Sequence, residues 1–408
     1  MLILLLLGAA AAVCAIGGAM LFPLAATGLW MLAVEATPDM WQSGDRETLI
    51  GAIKGLGLVL ALLLALRFGW RRDVFNPGFA FVVMFFTGLI HGLYPGLGFL
   101  SSLRSLMGSA APFAFSFART GEDFRRVVTR MAILGPLVNI AVGAGLSLCR
   151  VRPLYTMEGG ALRLAGAGLP AFLGGFALIA IYAGLLEILR REEQGGERTW
   201  PDYLLLAVNA FILLLTGARA PLVLAGLLIL GTFLLRRRLM ALAASGALLA
   251  LAVLFAGQFS TIRVVNMLQG GQAGNLSNRN LIWPDFEAAI ATSPWLGWGV
   301  GAGKQIVPTT TGIATLLGTN AAHNEYLRIG SEGGVVGVTL LVLCMGLWVV
   351  RGSRHLPRAE RWFMRLVFVA FAVHSTTDNT LIATTSSVLF IWASAVFSAA
   401  AKPYEEVA

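Results

Sequence analysis

The stretch YLLLAVNAFILLLTGARAPLVLAGLLILGTFLL, residues 203–235, carries one charge in 33 positions, and that charge, Arg219, stands at its middle. A helix needs only ~20 apolar residues to cross ~30 Å of hydrocarbon. Gly217 and Pro221 both interrupt helices. The run therefore reads as two membrane spans joined by almost no loop, with Arg219 at their shared end. An arginine in such a place is commonly a snorkelling interface anchor. Here no other charge accompanies it, and a guanidinium meets phosphate in a bidentate fork and never loses its proton, so anion binding is the favoured reading.

Outward from this run the chain keeps the same character. It is 57% hydrophobic and 12% charged, with a mean hydropathy of +0.78, more apolar surface than a soluble globule of 408 residues could cover. Barrel strands would alternate over ~10 residues; the apolar runs here are instead of helical length. The expected fold is an all-α integral membrane protein with about twelve spans, at 2–22, 49–66, 74–92, 105–118, 128–148, 168–189, 202–217, 219–235, 239–257, 333–350, 363–377 and 384–400. Residues 23–35 are also apolar, but Pro23 breaks the helix, so a short re-entrant or interfacial piece is expected there. The run 1–18 lacks the basic residues of a signal peptide and reads as an anchor.

Nineteen of the 30 Lys+Arg fall in one set of connections, among them Arg71, Arg125, Arg190, Arg237 and Arg354. By the positive-inside rule that set is cytoplasmic, which places both termini inside and residues 258–332 outside. The net charge of +9 is thus a topology signal, spread over short loops and not gathered with aromatics into a nucleic-acid-binding face. Cys14, Cys149 and Cys344 lie in or beside apolar runs without metal spacing and read as small core residues.

The chain divides into spans 1–9 (1–257), an outer cap (258–332) and spans 10–12 with a short tail (333–408). In the cap, Pro284–Thr292 reads as a helix closed by Pro294 and Gly297. Gly297, Gly299, Gly301 and Gly303 form a glycine-rich turn before Lys304; such runs commonly only turn, though their amides could approach an anion. His323, the one histidine of the cap, opens the segment His323-Asn324-Glu325-Tyr326-Leu327-Arg328, and imidazole is the side chain best suited to take a proton near neutral pH. A loop histidine satisfied by its neighbours is the competing reading. His91, His355 and His374 read as structural. No carboxylate or histidine cluster suggests a metal.

Three ordered segments carry a resemblance: Thr216-Gly217-Ala218-Arg219; Asn278-Arg279-Asn280-Leu281-Ile282-Trp283 followed by Pro294-Trp295-Leu296-Gly297-Trp298-Gly299; and His323-Asn324-Glu325-Tyr326-Leu327 leading to Glu332-Gly333-Gly334-Val335-Val336-Gly337. Together they resemble the O-antigen ligase and Wzy-type polymerase superfamily. Ala218 and Asn278 stand where that family often has serine and glycine. The resemblance implies a fold like the membrane glycosyltransferase C class and an inverting, metal-independent transfer of a glycan from undecaprenyl diphosphate, with no cofactor. It further implies that Arg219 and Arg279 hold the diphosphate and that His323 is the general base. Asn324, Glu325, Tyr326, Lys304, Arg152 and Arg163 are secondary candidates; a helical path turns Glu325 away from His323.

Within that superfamily the compact single cap, 75 residues from Gln258 to Glu332, favours a ligase acting on lipid A-core oligosaccharide at the periplasmic face of the bacterial inner membrane, as a monomer. A Wzy-type polymerase is the alternative. A transporter of lipid-linked sugars is the second, disfavoured because the distinctive charges gather at one face and not at mid-membrane.

Overall fold

A computed structural model describes residues 17–36, 43–158, 161–195, 200–235, 281–317 and 319–401. The expected span 239–257, most of 2–22 and Arg279 lie outside the described residues. The protein is predominantly helical: α1 (Pro23–Glu35), α2 (Ser43–Phe68), α3 (Gly78–His91), α4 (Phe99–Ala110), α5 (Glu122–Leu148), α6 (Pro170–Glu193), α7 (Trp200–Thr216), α8 (Arg219–Leu235), α9 (Trp283–Thr292), α10 (Gly312–Leu317), α11 (Glu325–Gly352), α12 (Arg358–His374) and α13 (Thr384–Ala400). One antiparallel hairpin, β1 (Tyr155–Glu158) with β2 (Ala161–Leu164), pairs Tyr155 with Leu164.

Helices α2, α5, α6 and α11 contain stretches long and apolar enough to cross a membrane, and α1, α3, α7, α8 and α13 are shorter apolar helices. This is a multi-pass membrane protein. Large side chains such as Leu56, Ile90, Val223 and Leu347 remain exposed on its surface, as expected where the solvent is lipid. Helices α6 and α13 are buried nearly all round and form the middle of the bundle.

Small residues let them approach their neighbours. A Cβ added to Gly174 would lie 2.7 Å from Ala218 Cβ, and one added to Gly175 2.7 Å from Thr385 Cγ2. Through these two adjacent glycines, α6 ties the α7–α8 turn to the head of α13.

One segment differs from the sequence reading, and a second, expected only as a short re-entrant or interfacial piece, takes a defined form. Instead of one apolar helix over 105–118, α4 ends at Ala110 and a 3₁₀ turn covers Ala111–Phe117. Pro112 has no N–H to continue the α-helical ladder, so the chain tightens there. Residues 23–35 form a true helix whose Trp30, Met31, Val34 and Glu35 are buried, packed along α5. Pro23 starts that helix at its first turn, where no N–H is needed.

Candidate active site

The geometry begins with a broken helix. Gly334, inside α11, takes φ +58° and ψ −161°, which no helix accommodates. Such a break leaves carbonyls unserved before it and amides unserved after it. The segment Pro294–Gly299 serves both. Amides of Trp298 and Gly299 donate to the carbonyls of Ser331 (2.9 Å) and Glu332 (2.8 Å), and amides of Val335 and Val336 donate to the carbonyls of Pro294 (2.8 Å) and Trp295 (3.1 Å).

No side chain fits between the two strands of backbone. A Cβ on Gly297 would come 2.4 Å from Gly333 N, and one on Gly334 2.4 Å from Trp295 C. Pro294–Gly299 and Glu332–Gly337 are therefore halves of one joint. Its amides are spent on protein carbonyls, and Gly301 N–H serves the Glu332 carboxylate. The glycine-rich run thus makes the turn, with the amides of Gly297, Gly299 and Gly301 engaged by Ser293 O, Glu332 O and the Glu332 carboxylate.

The joint carries the cap. Ile282, Phe286 and Ala289 at α9 form a small core with Ile306, Val307, Ala314 and Ala322. Trp283 Nε1 donates to the carbonyl of Ala322 (2.9 Å), fixing the residue before His323. The residue after it is fixed too, because the Asn324 side-chain oxygen caps α11, accepting from the amides of Tyr326 (3.0 Å) and Leu327 (3.3 Å).

Held from both sides, His323 takes φ +47°, a left-handed conformation that a histidine tolerates but seldom adopts. Strain of this kind collects at functional positions. Its Nδ1 lies 3.2 Å from Asp378 Oδ1 and its Nε2 3.3 Å from Thr319 Oγ1. An ionised carboxylate only accepts, so the proton belongs on Nδ1 and Nε2 keeps its lone pair. Asp378 Oδ1 also accepts from the amide of Asn379 (2.8 Å), and Asp378 Oδ2 is 3.9 Å from His374 Nε2.

Beneath this pair lies a buried ionic platform. Arg328 bridges Glu325 (2.5 Å) and Glu332 (2.9 Å), all three less than 7% exposed. Glu325 Oε1 accepts from the amide of Leu381 (2.6 Å), and the Glu325 amide donates to Ser375 O (2.8 Å). From α2, Lys54 Nζ donates to the carbonyls of Ile382 (2.6 Å) and Gly108 (3.1 Å), within electrostatic reach of Glu325. Two carboxylates are thereby compensated by two cations, without which burial of any one would be costly. The product is a firmly held 375–382 loop carrying Asp378. Among the secondary candidates, Asn324 serves as the cap, Glu325 as the anchor of this loop, and Tyr326 as a brace, its hydroxyl donating to Ala372 O (3.1 Å). Lys304 is exposed beside the platform, and its carbonyl accepts from Asn320 Nδ2 (3.0 Å).

Arg219 opens α8 as its first residue, after Gly217 turns the chain with φ +61°. Pro221 sits in that first turn, where its missing N–H costs nothing. Arg163 of β2 donates through Nε to the carbonyl of Thr216 (2.7 Å), closing the end of α7 beside this turn. Arg152 Nη1 lies 3.5 Å from Ala167 O. A guanidinium at a helix N-terminus adds its charge to the positive end of the helix dipole, an arrangement suited to phosphate.

Asp378, Thr319 and Lys54 were not singled out by the sequence. The signal for Lys54 was present, since a lysine inside an expected span is a functional-site candidate on its own.

The site thus brings a histidine–carboxylate pair under a folded cap, on a helical bundle that also carries an arginine-bearing turn between two apolar helices. Residues 204–342, from α7 through the cap into α11, match the family model described as O-antigen ligase. No curated protein matches the chain.

Proposed function

We propose that this protein is a glycosyltransferase that moves an O-antigen polysaccharide from undecaprenyl diphosphate to a hydroxyl of lipid A-core oligosaccharide, at the periplasmic face of the inner membrane. The observation that carries this reading is the pairing of His323, inside the O-antigen ligase family match, with Asp378, which lies beyond it in the loop after α12. A neutral imidazole with its Nδ1 proton engaged presents Nε2 as a base. The acceptor hydroxyl gives its proton to Nε2 as its oxygen attacks the anomeric carbon. The bond from that carbon to the phosphate oxygen breaks on the opposite face, and its electron pair leaves with the diphosphate. One displacement inverts the configuration.

Charge grows on the leaving diphosphate, so fixed cations stabilise the transition state more than the ground state. Arg219 and Arg279 supply them in this reading, and no metal is required. In this reading the acceptor hydroxyl takes the place beside Nε2 that the Thr319 hydroxyl holds at 3.3 Å.

Deleting the gene tests the acceptor. Loss of all attached O-polysaccharide from lipopolysaccharide supports the ligase, whereas retention of a single repeat means a polymerase. Purified protein that forms no product from lipid-linked donor and core acceptor would remove the enzymatic reading altogether.

A further inference from the structure

At the end of the bundle away from the Arg219 turn, α5, α6 and α7 enclose an open cleft of about 480 Å³. Its place follows from α7, which begins near Asp202 in the cleft wall and ends at Thr216 beside that turn, ~25 Å away. The mouth is basic: five arginines line it against three carboxylates. Those carboxylates are already engaged, Glu122 with Arg125, Arg126 and Arg190, Glu187 with Arg125, and Asp202 with Arg191 at 2.8 Å, while Arg126, more than half exposed, also reaches Asp123.

Cationic capacity is left over. Arg130 has no carboxylate partner among the described residues, and Arg190 Nη1 is buried without a hydrogen-bond acceptor. Thr129, only 2% exposed, points a hydroxyl with no partner among the described residues into the same cleft wall. One turn further along α5 the lining turns apolar, with Ile133 and Leu134 facing Leu205 of α7.

We infer that this cleft binds an anionic phospholipid. Its phosphodiester sits between Arg126, Arg130 and Arg190, with the Thr129 hydroxyl donating to a phosphate oxygen, and an acyl chain follows Ile133, Leu134 and Leu205. The change from cationic to apolar lining within ~5–10 Å along one helix matches the change from headgroup to chain in a lipid. A free phosphate would leave the apolar wall without an occupant. A zwitterionic lipid carries its own cation into a site with surplus arginine.

The test uses the full-length protein in neutral detergent, with lipid binding followed by native mass spectrometry and thermal unfolding. Phosphatidylglycerol is expected to bind and raise the unfolding midpoint, while phosphatidylcholine and inorganic phosphate do neither. Arg126→Gln/Arg130→Gln should weaken phosphatidylglycerol binding by about thirtyfold, and Arg358→Gln, an exposed arginine outside the cleft, should leave it unchanged. Leu134→Trp fills the apolar wall without altering charge and should also weaken binding; it decides the matter if the double variant fails to fold. Equal stabilisation by phosphate alone or by phosphatidylcholine would overturn the proposal, as would undiminished binding by the variants.

Discussion

Replacing Asp378 separates two things its carboxylate does for His323. The Asn379 amide donates to Oδ1 at 2.8 Å, and the same oxygen faces His323 Nδ1 at 3.2 Å. An acceptor is required at that point, so Asp378→Asn should keep its carbonyl oxygen there and preserve the ring orientation and tautomer. What it loses is the charge opposite the imidazolium that forms during transfer. Two unit charges about 4 Å apart at an effective dielectric near 20 interact by ~4 kcal/mol. Asp378 is 34% exposed, so screening reduces this to about 1–2 kcal/mol, a loss of roughly five- to thirtyfold in rate.

Asp378→Ala removes the orienting contact as well and leaves the Asn379 amide without its acceptor. Its expected loss is larger, about 10²–10³-fold, within the ~10²–10⁴ that a general base contributes in all. The assay is single-turnover transfer from lipid-linked donor, with donor affinity measured separately and expected to be unchanged. The decisive comparison is made in the His323→Ala background. If Asp378 acts through the ring, adding Asp378→Ala there costs little more. Losses that multiply in the double variant would refute the argument, as would an Asp378→Ala enzyme that turns over normally.

Arg219→Ala should reduce transfer by about 10²-fold or more, and Arg219→Lys should recover only part of it because an ammonium lacks the planar fork; Arg279→Ala should behave likewise if both hold one diphosphate, and unequal effects on donor affinity would divide them. Turnover should survive EDTA; activity lost to chelation and restored by Mg²⁺ would sink the metal-free scheme. Gly334→Ala should lower thermal stability by about 2 kcal/mol or more, from a strained backbone and a clash with Trp295, whereas Gly346→Ala, on the same helix with nothing within 4 Å, should be neutral or stabilising.

The spans were legible because hydrophobic length is a one-dimensional property. Expected runs 202–217 and 219–235 correspond to α7 and α8 within two residues, and Pro284–Thr292 to α9 within one. Residues 105–118 failed because hydropathy does not register the missing N–H of Pro112. Arg219 stood out as a charge inside an apolar run, and His323 as the one histidine of the cap. Asp378 was not, since it lies 55 positions from His323 in a turn whose carboxylate looks like any other exposed acid until the fold delivers it. The joint at Gly334 was half-legible: the glycines announced a close approach, but backbone–backbone pairing leaves no side-chain signature of its partner.

That joint explains how His323, the base in the proposed transfer, can stand at the end of an apolar helix at all. Residues 325–332 carry Glu325, Arg328 and Glu332, whereas 333–350 carry no charge. The break at Gly334 falls at this boundary, so the first turns of α11 tilt into the cap while the apolar remainder enters the hydrocarbon. A continuous helix would have to choose between drawing the charges into lipid and lifting Val335 and Val336 into water. The backbone freed by the break is satisfied by Pro294–Gly299, which is also the segment that follows α9, and α9 bears Trp283, the clamp on Ala322. Position then passes from membrane span to joint, from joint to α9, and from α9 to His323 through rigid elements. A displacement of about 1 Å at a reacting group can cost ~10²-fold in rate. Lesions at Gly297 or Gly334 should therefore damage transfer through His323 geometry even in variants that still fold, and should leave donor affinity at the Arg219 turn largely intact.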